Sequence, residues 1–301
     1  MHDHHHHGAA SSEGQQRRLT LALALAASYM LAEVAGGLWT GSLALLADAG
    51  HMLSDVFALS LSMFAFRLAR RPATPQQTYG HHRTEILAAL VNGLLLVGVA
   101  VYILSEAFER IEAPREILGG PMLAIATGGL LVNLSALWIL RKGRHHNLNV
   151  RGAWLHVMSD AFGSTAAIAA GGLIWAFGWR WADPLASLII AVLIVYSAWT
   201  LLREVVAVLM EWAPSHIDVS EVERSIAAVP GVKSVHDLHI WTISSGRISL
   251  SGHVVSNADH DHATLLQEVS DLLFQRFDIS HATIQIETRD FDRPGGRVCF
   301  T

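Results

Sequence analysis

The chain has little of what stabilises an ordinary secreted or water-soluble protein. Cysteine occurs once in 301 residues, as Cys299, so the sequence excludes a disulfide framework. Charged residues make up only 16% of the chain, against roughly a quarter in soluble domains. The formal net charge is −5, and this negative balance argues against a nucleic-acid partner. The polar, histidine-rich start at Met1–Gly8 has no apolar h-region, so no cleavable signal peptide is expected.

Long apolar segments take the place of the missing charge. Hydrophobic residues make up 51% of the chain, and six runs are long enough to cross a bilayer as helices of roughly 20 residues. Backbone groups in lipid must bond internally, so each run is predicted to be a membrane helix. The runs are Leu19–Trp39, Leu43–Phe66, Ile86–Phe108, Met122–Leu140, Ala153–Phe177 and Leu185–Leu202.

Basic residues between these segments predict their orientation. Lysine and arginine cluster before the first segment, between the second and third, between the fourth and fifth, and after the sixth. The connections on the other side carry only Arg110, Arg115 and Arg180. Because positive residues concentrate on the cytoplasmic side, both termini are predicted to be cytoplasmic.

The chain becomes polar and mixed after the sixth apolar segment. A helix, two strands, an amphipathic helix and a third strand are predicted, in the order α-β-β-α-β. Their ranges are Val219–Val229, Val232–Thr242, Arg247–Val255, His262–Phe277 and Ala282–Thr288. The predicted organisation is a histidine-rich cytoplasmic segment (1–18), a six-helix α-helical membrane domain (19–211), a small cytoplasmic α+β domain (212–290) and a mobile tail (291–301).

Two copies of His-x-x-x-Asp lie in membrane segments, as His51 with Asp55 and His156 with Asp160. A spacing of four residues puts both side chains on one helical face, one turn apart. Ionisable groups inside the membrane are costly, and they mark functional sites by default. If the two faces oppose each other, two imidazoles and two carboxylates form the tetrahedral shell that zinc prefers.

The chemistry of these donors narrows the choice of ion. Two carboxylates neutralise one divalent cation, which makes the occupied site tolerable in a membrane. Nitrogen and oxygen ligands without thiolate suit zinc, cobalt or cadmium, and they do not suit copper(I). Asp48 precedes His51 by three residues on the same face. It is a candidate accessory ligand, a candidate acceptor for an imidazole N–H, or a polar residue near a helix end.

Several stretches of the sequence resemble the cation diffusion facilitator family, in particular bacterial zinc, cadmium and cobalt resistance exporters and eukaryotic zinc transporters. These stretches are Ala47–Asp55, Tyr79–Glu85, Asn149–Asp160, Asp183-Pro184 and His236–Trp241. The resemblance implies a homodimer with six membrane helices per subunit and a metallochaperone-like cytoplasmic domain, placed in the bacterial inner membrane. It also implies that His51, Asp55, His156 and Asp160 bind the transported ion, with histidine at the first position favouring zinc over cadmium.

The same resemblance implies a second metal site in the cytoplasmic domain. Its ligands would be His239, His253, His281 and Glu287, with zinc as the bound ion. Accessory candidates are His236, the N-terminal run His4, His5, His6 and His7, and Cys299 in the tail. The chain lacks the Cys-x-x-Cys tail pair that some members have.

Two further features follow from the family pattern. His81, in the connection after the second membrane segment, is a candidate for a weak metal-entry role. Arg83 and Glu211 match a basic and an acidic position that pair in the family, tying the membrane helices to the cytoplasmic domain near the dimer axis. We refer to this pair as the interlock.

The predicted function is proton-coupled antiport, in which zinc, or cadmium, cobalt or nickel, leaves the cytoplasm. A free imidazole titrates near pH 6.5, and metal binding requires neutral imidazole and ionised carboxylate, so metal and protons compete for one site. A membrane metalloprotease would usually show His-Glu-x-x-His, which the sequence lacks. The alternatives are a membrane metal sensor without transport and a passive channel. The expected partners are divalent metal ions, protons, the lipid bilayer and a second copy of the chain.

Overall fold

The computed structural model describes residues 24–25, 27–69, 71–72, 74–140, 148–244, 246–257 and 261–288. Within the helices, the side chains of residues 59, 62–63, 65–66, 69, 140, 148–153 and 155–156 lie outside this description. Two compact units result, formed by the described parts of Met1–Leu61 with Val91–Leu201, and of Ser62–Leu90 with Leu202–Thr301. The second unit therefore includes residues 62–90 as well as the chain after Leu202.

Long helices form the described part of the first unit, and all but the first of them contain a whole apolar run of the sequence. Four segments of the described chain are long and apolar enough to cross a membrane: Thr84–Glu112, Gly119–Ile139, Val157–Phe177 and Ala182–Leu209. The helices are α1 (residues 27–40), α2 (Leu43–Ala69), α3 (Thr84–Glu112), α4 (Gly119–Leu140), α5 (Leu148–Phe177) and α6 (Ala182–Leu209).

Small residues allow α4 and α5 to pack closely. A methyl group added at Gly171 would lie 3.0 Å from the backbone nitrogen of Leu123. One added at Gly119 would lie 2.7 Å from the backbone nitrogen of Trp175. Close backbone approach at small residues is the usual way in which membrane helices associate, because lipid supplies no hydrophobic drive between them.

The first turn of α2 is held by a side chain from α6. Asp183, fully buried, accepts hydrogen bonds from the Ser42 hydroxyl at 2.5 Å and from the backbone N–H groups of Leu43 at 2.9 Å and Ala44 at 3.1 Å. The two backbone N–H groups are among the donors that a helix N-terminus leaves without intrahelical partners. The Arg110 guanidinium lies 3.7 Å from the same carboxylate and donates to the Gly41 carbonyl at 2.5 Å. Asp183 and Arg110 therefore fix the start of α2 against α6 and α3.

The polar C-terminal part folds in the predicted order, α-β-β-α-β. The elements are α7 (Val219–Ala227), β1 (Val232–Ser244), β2 (Arg247–Ser256), α8 (His262–Phe277) and β3 (His281–Glu287). The sheet order is β1-β2-β3, with β1 antiparallel and β3 parallel to β2. Aspartates at the N-caps of α7 and α8, Asp218 and Asp261, accept from backbone N–H groups of the first turn.

An apolar core joins the helices to the sheet. Val222 and Ile226 on α7, with Leu265 and Leu273 on α8, are almost fully buried. They pack in one cluster with strand residues such as Leu250. The spacing of the helix residues puts them on one face, so the amphipathic pattern in the sequence accounts for the packing.

Candidate metal sites

The first candidate site lies in the first unit, where α2 and α5 meet. The Nε2 atom of His51 lies 3.6 Å from Oδ1 of Asp160 and 4.0 Å from Oδ2 of Asp55. Asp160 is buried, and the side chain of Asp55 is 30% exposed. The His51 ring therefore lies within 4.0 Å of a carboxylate oxygen from each helix. Among the described residues, however, these three side chains do not bring one ligand atom each within 4.8 Å of one another.

The fourth predicted ligand, His156, belongs to α5 and precedes Asp160 by one helical turn. Its side chain lies outside the described residues. The structure therefore locates three of the four predicted side chains, and the backbone position of the fourth.

A small cavity of about 20 Å³ adjoins His51 and Asp160. A cavity of roughly 10–15 Å³ on this measure is enough for one water molecule, so the space suits a single ion without its hydration shell. Side chains from α2, α5 and α6 line it: Asp48, His51, Ser159, Asp160, Gly163, Ile190, Leu193, Ile194 and Ser197. Ser159 and Ser197 were not among the predicted site residues. The only feature of the sequence that could have identified them is a hydroxyl side chain within an apolar helix.

Asp48 is buried beside this cavity. Its Oδ2 accepts from the Ser164 hydroxyl at 3.4 Å, and that hydroxyl accepts from the Asn133 amide at 3.3 Å. Gly163 leaves room for the carboxylate, since a methyl group there would lie 3.3 Å from Oδ1 of Asp48. Asp48 thus has partners on α5 while lying next to His51, and both the accessory-ligand and the hydrogen-bonding roles fit this position.

The second candidate site lies on the sheet of the second unit and is formed by His236, His253 and Glu287, hereafter the cytoplasmic cluster. One ligand atom from each lies within 4.8 Å of those from the other two. His253 Nδ1 is 3.3 Å from Oε1 of Glu287, and His236 Nε2 is 3.6 Å from Oε2. The two imidazole rings meet edge to face, with centroids 5.1 Å apart. Strand pairing explains the contact, because His236 lies opposite His253 in the β1–β2 register.

The donor set of the cytoplasmic cluster fits a divalent cation. Glu287 is buried, and within the described part of the chain its Oε2 atom has no hydrogen-bond partner. Gln285 donates to the other oxygen at 2.7 Å, which holds the carboxylate in place. Two imidazoles and one carboxylate are ligands that zinc accepts.

Two histidines that the family resemblance assigned to this site lie outside the cluster. His281 and Glu287 are both on β3, but they lie six steps apart along the strand, roughly 20 Å, which is too far to share one ion. The His281 ring instead meets Tyr79 edge to face, with centroids 6.4 Å apart. His239 bonds to Asp237, with 3.0 Å between Nε2 and Oδ1.

The interlock residues form an ion pair inside the second unit. Arg83 Nη2 lies 2.8 Å from Oε1 of Glu211, and both side chains are about half exposed. Glu211 lies two residues after the end of α6 and has a left-handed backbone (φ 59°), which is common just beyond a helix C-terminus. His81 is half buried, and its carbonyl accepts from the Thr84 hydroxyl at 2.6 Å.

Partial burial and the nearby positive charge of Arg247 lower the pKa of the neighbouring His82 imidazole below its usual value. The remaining predicted accessories, His4, His5, His6, His7 and Cys299, lie outside the described residues.

Comparisons with known proteins agree over nearly the whole chain. The cation efflux transmembrane domain matches residues 19–210, and the cytoplasmic domain of cation efflux proteins matches residues 214–289. The metal cation efflux system protein CzcD of Cupriavidus metallidurans is 45% identical over 272 residues, which is 90% of this chain and 86% of the relative. The cadmium, cobalt and zinc/H(+)-K(+) antiporter of Bacillus subtilis is 42% identical over 286 residues, covering 93% and 92%.

A solved structure, the metal-bound C-terminal domain of the Cupriavidus metallidurans CzcD transporter, is 49% identical to this chain. It aligns over 24% of this chain and 99% of its own length, with a TM-score of 0.23. The transmembrane family model spans well over half of this chain, and relatives above 40% identity extend along nearly all of it. The chain therefore belongs to the cation efflux family, whose members are multi-pass membrane transporters of metal cations and not enzymes.

Proposed function

We propose that this protein exports zinc from the cytoplasm in exchange for protons, through a site formed by His51, Asp55, His156 and Asp160. Cadmium and cobalt are further candidate substrates, since the Bacillus subtilis relative is named for both. The observation that carries the proposal is the 3.6 Å approach of the His51 ring to the Asp160 carboxylate between two helices.

Charge and space support a divalent substrate. Asp55 and Asp160 together supply two negative charges, so a divalent ion between them leaves the site nearly neutral in surroundings of low polarity. The 20 Å³ cavity has room for about one water molecule or one bare ion, which supports passage of a single dehydrated ion. Neutral imidazoles complete the shell without adding charge.

Exchange for protons follows from the chemistry of these ligands. A metal ion binds only neutral imidazole and ionised carboxylate, so loading the site releases any protons that it carries. If the loaded site opens to the cytoplasm and the protonated site to the other face, an inward proton gradient drives export. The likeness to a relative named as an H(+)-K(+) antiporter supports a cation exchange of this kind.

Alternating exposure requires the helices to change their tilt around the site. We propose six membrane helices, α1 to α6, with both termini in the cytoplasm and two subunits per transporter. Rocking of helix groups about a fixed midplane site is the common transporter movement. The Asp183 contacts at the start of α2 would hold that end while the rest of the helix tilts.

The cytoplasmic cluster is proposed to bind zinc as a regulatory ion. His236, His253 and Glu287 would hold it, joining all three strands and neutralising the buried carboxylate. Metal bound there would favour one arrangement of the two cytoplasmic domains and so shift the balance between transport states.

The test is metal flux into proteoliposomes with an imposed pH gradient, using the wild type, Asp55→Ala and Asp160→Ala. We expect zinc uptake coupled to proton release from the vesicles in the wild type, and uptake at the level of empty vesicles in both variants. A second wild-type series with a potassium gradient in place of the pH gradient separates the two counter-ions.

Two results would contradict the proposal. Zinc binding without flux would indicate the alternative, a membrane metal sensor. Zinc flux that moves no protons at any pH gradient would indicate a passive channel.

A further inference from the structure

The strand β1 contains an irregularity next to the cytoplasmic cluster. His236 lies opposite His253 and His239 opposite Ser251, so three steps along β1 match two along β2. One extra residue, a β-bulge, therefore separates the two histidines and puts both on the same face of the sheet as His253. Bulges often lie beside functional sites, where they redirect a side chain.

Asp237, within this bulge, has a left-handed backbone with φ 52°. Aspartate tolerates this conformation better than most residues, but it is still uncommon away from glycine. The neighbouring strand makes room for the bulge at Gly252, where an added methyl group would lie 2.9 Å from Cδ1 of Leu238. A strained residue with a matching glycine opposite indicates a feature that serves a site.

The carboxylate of Asp237 bonds to one imidazole and lies near a second, beyond hydrogen-bond distance. Oδ1 lies 3.0 Å from Nε2 of His239, and Oδ2 lies 3.9 Å from Nε2 of His253. The other ring nitrogen of His253, Nδ1, faces Glu287 at 3.3 Å. The His253 ring thus lies between two carboxylates, with Nδ1 toward Glu287 and Nε2 toward Asp237.

We propose that Asp237 is a positioning residue for the cytoplasmic cluster, orienting the His253 ring so that Nδ1 is the nitrogen presented to metal. This inference rests on the proposed metal binding at the cluster. A neutral imidazole that binds metal through Nδ1 carries its proton on Nε2, and a carboxylate is the usual acceptor for that proton. Asp237 also keeps His239 outside the cluster by bonding its ring.

The test measures zinc affinity of the full chain in lipid nanodiscs by competition with a chromophoric chelator. The parent carries Asp55→Ala and Asp160→Ala, with His4–His7 replaced by serine, so that other candidate sites do not contribute. Asp237→Asn and Asp237→Gly both tolerate the left-handed backbone and both remove the carboxylate. Asp237→Ala removes the carboxylate and also strains the backbone.

We expect Asp237→Asn and Asp237→Gly to weaken zinc binding by about 10- to 100-fold, with melting temperatures close to that of the parent. The visible absorption of bound Co²⁺ should change in both, because it reports the arrangement of the ligands. Parent-like affinity and spectra in the asparagine and glycine variants, with a loss only in Asp237→Ala, would overturn the inference and leave a purely backbone role. If His236→Ala leaves zinc affinity unchanged, the proposed cluster itself is refuted, and the role of Asp237 with it.

Discussion

The two candidate metal sites use the same donors in different surroundings. At the first, imidazole and carboxylate project from α2 and α5 beside a small cavity, so the donors belong to separate helices. At the cytoplasmic cluster, the donors project from β1, β2 and β3, whose backbones are hydrogen-bonded to one another. Ligands on separate helices can part to release an ion, whereas ligands on one sheet keep their spacing. The difference suits the first site to a passing ion and the second to a bound one.

The largest effect is expected from removing charge at the first site. Asp160→Asn should reduce zinc flux to the level of empty proteoliposomes, because a buried divalent ion would lose half of its neutralising charge. Metal binding at the cytoplasmic cluster should remain. Glu116→Gln, a change at an exposed carboxylate, serves as the matched control and should transport normally. Full flux in Asp160→Asn would break the distinction between the two sites.

The reverse pattern is expected at the cytoplasmic cluster. Glu287→Gln should weaken zinc binding there by more than about 100-fold. Losing a ligand should cost more than the 10- to 100-fold expected for losing Asp237, which only positions a ligand. Transport at saturating zinc should persist, while the activation seen as zinc rises from low concentration should disappear. Glu268→Gln on the exposed face of α8 is the control. An unchanged dependence of flux on zinc would show that the cytoplasmic domain has no sensing role.

An intermediate effect is expected where α2 begins. Asp183→Asn should lower the free energy of unfolding by roughly 1–3 kcal/mol. The substitution replaces a charged acceptor by a neutral amide, which weakens the buried hydrogen bonds to the start of α2. Ser187→Ala, whose hydroxyl bonds within α6, should cost less. Unfolding by denaturant in detergent checks the difference. Equal stability of the wild type and Asp183→Asn would show that this cap does not hold the start of α2.

A smaller effect on stability is expected at the interlock, because exposed ion pairs contribute about 0–1 kcal/mol. Arg83→Glu and Glu211→Arg should each reduce transport through like-charge repulsion. The double variant restores the pair with its charges exchanged, so it should recover flux. Proteoliposome assays of all four proteins form a complete double-mutant cycle. Failure of the double variant to recover would indicate that the pair does not act as a link.

The two sites also differ in how much of each could be predicted from the sequence. The spacing of His51 with Asp55, and of His156 with Asp160, predicted that each pair shares a helical face, because helical period decides which side chains share a face. That the two faces oppose each other was a condition that periodicity does not decide. The placing of His253 and Glu287 in one site came from the family resemblance. The contact of His239 with Asp237 depends on the bulge, which strand alternation does not predict. The separation of His281 from Glu287 follows from their spacing along one strand, and the resemblance overrode it. Bulges and contacts such as Tyr79 with His281 arise from tertiary packing, which local pattern does not encode.

The smallest effect is expected at His82. Its folded pKa lies below the ordinary value of 6.5, so the unfolded state takes up more protons as the pH falls through that value. The group therefore destabilises the fold progressively as the pH falls below about 6.5 and has no effect well above that value. His82→Gln should reduce the fall in melting temperature over this range. Identical pH slopes for the two proteins would show that His82 is not held neutral.

The central claim is that one ion is held between α2 and α5. Crystals of the zinc-loaded full chain, measured at the zinc absorption edge, would locate bound zinc by its anomalous signal. We predict a peak between the helices, within about 2.0–2.2 Å of His51 Nε2 and of an Asp160 oxygen. Zinc peaks confined to the cytoplasmic domain, in a preparation that transports zinc, would contradict the account.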